Sequence, residues 1–115
     1  MFKAHWTRQA TSDYEDLRKQ AEKALASRRS SGKTKTSRQE GLFKQVHKAI
    51  GLLLDNPKHP SLNTHEFESL VSPFDAKAKV FEAYAQNDTP GAYRIFWCYG
   101  PSRGDITIIA ITPHP

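Results

Sequence analysis

Two side chains near the end of this 115-residue chain are equipped for anion or proton chemistry, and both sit in apolar surroundings. Arg94 interrupts the run Tyr93-Arg94-Ile95-Phe96-Trp97-Cys98-Tyr99. A guanidinium there is costly unless it is paired or faces an open site. Its planar, permanently charged fork suits two phosphate oxygens better than an ammonium would. His114 lies three residues beyond the run Ile106-Thr107-Ile108-Ile109-Ala110-Ile111. An imidazole titrates close to neutrality and can give or take a proton. A third set is purely cationic. Arg28, Arg29, Lys33, Lys35 and Arg38 fall in residues 27–38, which hold no acidic residue and no apolar periodicity. Such a stretch reads as an exposed, mobile loop, either merely solvated or a phosphate-contacting arm.

The elements that must position these groups follow from pattern. The two apolar runs flank Gly100-Pro101-Ser102-Arg103-Gly104-Asp105, a β-hairpin signal. If Tyr99 pairs with Ile106, partner numbers sum to 205, Arg94 faces Ile111, and His114 points away from it. A sum of 206 pairs Arg94 with Thr112 and returns His114 to the arginine's face. Joint action of Arg94 and His114 needs the second register or a bent tail. Upstream, Phe2 to Trp6 reads as a short strand. Ser12 with Glu15 matches a capping box opening a helix that carries Tyr14, Leu17, Ala21 and Ala24 and fades near Ser27. Ser37 with Glu40 forms a second box before Leu42, Phe43, Val46, Ile50, Leu53 and Leu54, and Asp55-Asn56-Pro57 stops that helix. Lys79 to Tyr84 is a further strand, joined to the hairpin through residues 86–91. The order β-α-α-β-β-β predicts an α+β fold, with two N-terminal helices packed on one face of a small, mostly antiparallel sheet.

Size and composition bound the rest. The length suits one domain with one core, residues 1–115. Cys98 is the single cysteine, so no internal disulfide forms; with no signal-peptide pattern and no long apolar stretch, a cytoplasmic protein off the membrane is expected. His5, His47 and His59 make no ligand spacing with another donor, and no metal or other cofactor is expected. Charge is lopsided. Residues 1–58 carry 13 Lys/Arg and 6 Asp/Glu, net +7, while residues 59–115 carry 4 and 6, net −2. A basic half gains affinity for polyanions by releasing their counterions.

Three segments in this order resemble the RelE/ParE superfamily of type II toxins: Leu62-Asn63-Thr64-His65-Glu66-Phe67, Ala92-Tyr93-Arg94-Ile95-Phe96-Trp97, and Ile106 to Ile111 closing on His114. The resemblance implies a RelE-like fold and a toxin neutralised by a cognate antitoxin. It also implies one of two activities. One is ribosome-dependent, metal-independent endoribonuclease action on mRNA, inhibiting translation; the other is ParE-like inhibition of DNA gyrase through protein binding alone. A family member with weakened catalysis is the third option. On the nuclease reading the substrate's 2′-hydroxyl is the nucleophile. Arg94 then meets the scissile phosphate, His114 protonates the leaving oxygen, and Glu82 is either the base or an ion-pair partner of Arg94. His65 either approaches the RNA or is a loop histidine holding a backbone carbonyl, and the basic loop attaches to ribosomal RNA.

Overall fold

The computed structural model describes residues 1–87 and 91–114; Asp88, Thr89 and Pro90, inside the connection expected at residues 86–91, lie outside the described residues. The elements are β1 (Lys3–Trp6), α1 (Arg8–Ser30), α2 (Arg38–Asp55), a 3-10 turn at Pro60–Leu62, β2 (His65–Glu66), β3 (Phe81–Tyr84), β4 (Tyr93–Tyr99) and β5 (Asp105–Pro113). The five strands form one sheet in the order β1-β5-β4-β3-β2, parallel at β1–β5 and antiparallel elsewhere. Two helices and a mostly antiparallel sheet bear out the expected α+β class. The strand count rises by one, because the two-residue β2 precedes β3.

Both helices lie on the face that carries the core. Leu17 of α1 and Val46, Ile50 and Leu53 of α2 are buried with Ile95, Trp97, Ile106, Ile108 and Ile111 of the sheet. Each such side chain stabilises the fold by about 1.5–3 kcal/mol through its removal from water. The opposite face of β4 is covered by the segment before β3: Phe67 packs on Phe96 at 4.8 Å, and Ser72 Oγ lies 3.8 Å from Cys98 Sγ. Burial pushes the Cys98 thiol above its ordinary range.

The helix starts divide. α2 opens as its sequence requires, with Glu40 N donating to Ser37 Oγ while the Glu40 carboxylate accepts from Ser37 N. α1 does not open at Ser12. It starts one turn earlier, with Thr7 as the cap accepting from Ala10 N, and Ser12 lies inside the helix. The reason is tertiary: Thr7 N donates to the Ile108 carbonyl and Thr7 Oγ1 to that of Ile109, so strand β5 fixes the helix entry. Glu15, freed from capping, pairs with Arg18. α1 also runs past Ser27 to Ser30, so the non-helical connection shrinks to residues 31–37, leaving Arg28 and Arg29 in the last turn of α1 and Arg38 in the first of α2.

The β4–β5 hairpin contains both registers that the sequence allowed. Tyr99, Cys98 and Trp97 pair with Ile106, Thr107 and Ile108, a sum of 205. The ladder then shifts between Phe96 and Trp97, and Phe96, Ile95, Arg94 and Tyr93 pair with Ala110, Ile111, Thr112 and Pro113, a sum of 206. Ile109 is the extra residue of this bulge. Its carbonyl, turned out of the ladder, is the one that Thr7 Oγ1 satisfies.

Candidate functional site

The bulge decides which side chains meet. With Arg94 opposite Thr112, His114 falls on the same face as Arg94, and its backbone N–H is anchored on the Ala92 carbonyl at 2.8 Å. Across the sheet, Tyr84 pairs with Arg94 and Glu82 with Phe96, which sets Glu82 diagonal to Arg94 on that face. His65 of β2 lies directly opposite Glu82. Strands β2, β3 and β4, with the residue that follows β5, thus bring His65, Glu82, Arg94 and His114 together.

At their centre is the Glu82 carboxylate, 1% exposed. His114 Nδ1 donates to Glu82 Oε2 at 2.8 Å, and His65 Nε2 sits 2.8 Å from Oε1. The other nitrogen of His65 is taken as well, since Nδ1 lies 2.9 Å from the Asn63 carbonyl. Both nitrogens of that ring therefore face oxygen atoms of the protein. His114 differs: its Nε2 has no protein partner among the described residues, and its side chain is 44% exposed. The geometry is that of a carboxylate that fixes an imidazole's orientation and leaves its far nitrogen open to solvent.

Arg94 is not presented to solvent as a phosphate clamp would be. It is 1% exposed, with its guanidinium carbon 3.7 Å from the centre of the Tyr84 ring. Nη1 donates to the Gln86 carbonyl at 3.3 Å and the Tyr93 carbonyl at 3.1 Å, and Nε stays 3.9 Å from Glu82 Oε1. It places positive charge beside the carboxylate and stacks on the Tyr84 ring. Beside the cluster, a depression of about 350 Å³ runs between α2 and β3, with Lys48, Asn63, Tyr84 and Gln86 among its lining residues. Asn63, at φ 45°, gives the turn that aims its carbonyl at His65. The sequence reading missed Asn63 and Gln86, because backbone carbonyls leave no trace in residue type.

The cationic candidates lie elsewhere. Asp13 of α1 accepts from Ile111 N at the sheet, and Ser31 is ~27 Å further along the helix axis at 1.5 Å per residue. Arg28 is turned inward, bonded to both oxygens of Glu40 at 2.8 and 3.0 Å. Arg29, Lys33, Lys35 and Arg38 are exposed. Among the described residues, no group of three or more His, Cys, Asp or Glu is arranged to hold a metal ion, and no helix is long and apolar enough to cross a membrane.

The fold is that of RelE/ParE-type toxins. The chain superposes on a YoeB/ParE toxin from Agrobacterium tumefaciens with a TM-score of 0.59, at 12% identity over 98% of this chain and 99% of that one. It superposes on a YoeB dimer from Staphylococcus aureus with a TM-score of 0.60, at 10% identity over 99% and 98% of the two chains. At these identities the likeness is one of fold. No protein-family model and no curated protein matches the chain.

Proposed function

We propose that this protein is the toxin of a type II toxin-antitoxin pair and cuts messenger RNA on the ribosome, with His114 as its proton-transfer group. The observation that carries this reading is the 2.8 Å bond from His114 Nδ1 to the buried Glu82 carboxylate, which leaves Nε2 open. In the proposed step the RNA 2′-oxygen attacks the adjacent phosphorus and the bond to the 5′-oxygen breaks. The 2′ proton leaves to a base, and His114 Nε2–H protonates the departing oxygen, giving a cyclic phosphate and a 5′-hydroxyl end. Glu82 orients the ring through Nδ1. Direct use of Glu82 as the base requires displacing His65 from Oε1, which the half-exposed position of that imidazole permits. Arg94 supplies positive charge from beneath, and Lys48 at the neighbouring depression meets the RNA backbone. A cognate antitoxin is the expected partner.

A second reading is favoured by one observation. Both Glu82 oxygens are occupied and Arg94 is buried, as in a closed ion cluster with a purely structural role. A ParE-like inhibitor acting by binding alone fits that arrangement. Inducible expression with mapping of transcript ends on translating ribosomes separates the two. New 5′-hydroxyl ends that vanish in His114→Ala support the nuclease; inhibition of gyrase supercoiling without such ends supports the binder.

A further inference from the structure

A dense block of positive charge is gathered at one place far from the Glu82 cluster. Residues 23–40 hold six of the chain's 17 Lys/Arg and one acid, Glu40, a net +5 that equals the net charge of the whole chain. They form the tip of the α1–α2 hairpin, where a depression of about 900 Å³ is lined by Lys23, Arg28, Lys33 and Lys35 together with serine and threonine hydroxyls. The one carboxylate is already neutralised, because Arg28 holds both of its oxygens. Lys23, Arg29, Lys33, Lys35, Arg38 and Lys44 are exposed, and none has a carboxylate at ion-pair distance among the described residues.

What the tip lacks narrows the partner. From residue 26 to residue 41 no apolar side chain is larger than alanine. A protein partner needs buried aromatic or aliphatic anchors at the centre of its interface, and none is offered. A single-stranded nucleic acid is held by aromatic rings stacking on its bases, and the tip has no ring in that span. Cations interleaved with hydroxyls match the remaining case, a double helix read through its phosphates and 2′-hydroxyls.

We infer that the hairpin tip docks on the phosphate backbone of double-stranded RNA, a second contact site separate from the Glu82 cluster; the choice of RNA rests on the proposed function. Lys33, Lys35, Arg29 and Arg38 make the contacts. Arg28 does not: it braces the tip by tying the end of α1 to the start of α2 through Glu40.

The test measures binding of a labelled RNA duplex of about 16 base pairs across a salt series. It compares wild type, the double variant Lys33→Gln/Lys35→Gln, and His114→Ala. These lysines are exposed, and thermal melting checks that the double variant is folded. The expected result is a slope of log affinity against log salt that is shallower by about 2 in the double variant, with affinity down roughly 10–100-fold at 0.1 M salt. His114→Ala should bind the duplex as wild type does. An unchanged slope in the folded double variant overturns the inference. So does tighter binding to a DNA duplex of equal length, or to polyglutamate, which would point to an acidic protein. Duplex binding that persists when no messenger cleavage is found would sink the nuclease reading and leave the docking site standing.

Discussion

Glu40 and Glu82 are both buried carboxylates, 8% and 1% exposed, and each has an arginine beside it. Glu40 is closed. Arg28 takes both oxygens at 2.8 and 3.0 Å, the Ser37 amide adds a third bond, and the carboxyl is held at about 2. Glu82 keeps its arginine at 3.9 Å and gives its short contacts to two half-exposed imidazoles. A bidentate guanidinium makes a brace, whereas an imidazole on a buried carboxylate makes a group that can move protons. The difference separates a structural ion pair from a candidate reactive one.

The largest effect should come from breaking the second arrangement. His114→Ala is expected to lower messenger cleavage about 10²–10⁴-fold, the usual contribution of a positioned acid or base, while circular dichroism and melting stay near wild type. Glu82→Ala should cost both activity and fold. It removes the buried carboxylate on which His65 and His114 both converge, and the loss of stability is read by urea denaturation. Arg94→Ala should also lower stability, since its stem and guanidinium are packed against Tyr84. A solvent-facing phosphate clamp would instead lose activity with an unchanged melting temperature.

Sharpening the comparison from the Glu40 side predicts the opposite pattern. Glu40→Gln should lower the melting temperature and leave cleavage intact. The sign with pH follows from the depressed carboxyl: its folded value of about 2 lies below the ordinary 4.5. Its stabilisation is therefore fully present above about 4.5 and is lost as pH falls through 2. The stability gap between wild type and Glu40→Gln should be flat above that range and shrink below it. The smallest expected effect is that of salt on stability: the exposed cations at the hairpin tip repel one another, so added salt, by screening them, should raise the melting temperature slightly.

The apolar periodicity of α2, its capping box and the two runs of the hairpin were legible because each is a local pattern. Arg94 and His114 were visible as polar groups in apolar company, and Glu82 as the carboxylate one strand away. The joining of these groups was not. It depends on the bulge at Ile109, which carries no glycine or proline signal and is set by the docking of Thr7 against β5. The same contact moved the start of α1 from Ser12 to Thr7. His65 was read either as a loop histidine holding a backbone carbonyl, which its 2.9 Å contact with the Asn63 carbonyl matches, or as a group near RNA; its place opposite Glu82 depends on a two-residue strand too short for any alternation to announce. Arg28 looked like part of a free basic run, and its tie to Glu40, twelve residues away, appears only when two helices pack.

The central claim is that Glu82 arms His114 for proton transfer. The most direct test is single-turnover cleavage of messenger on programmed ribosomes by wild type and His114→Ala, each shown folded by melting. Wild type should cleave rapidly and yield 5′-hydroxyl ends, and the variant should lose at least about a hundredfold. Equal rates for the two proteins would contradict it.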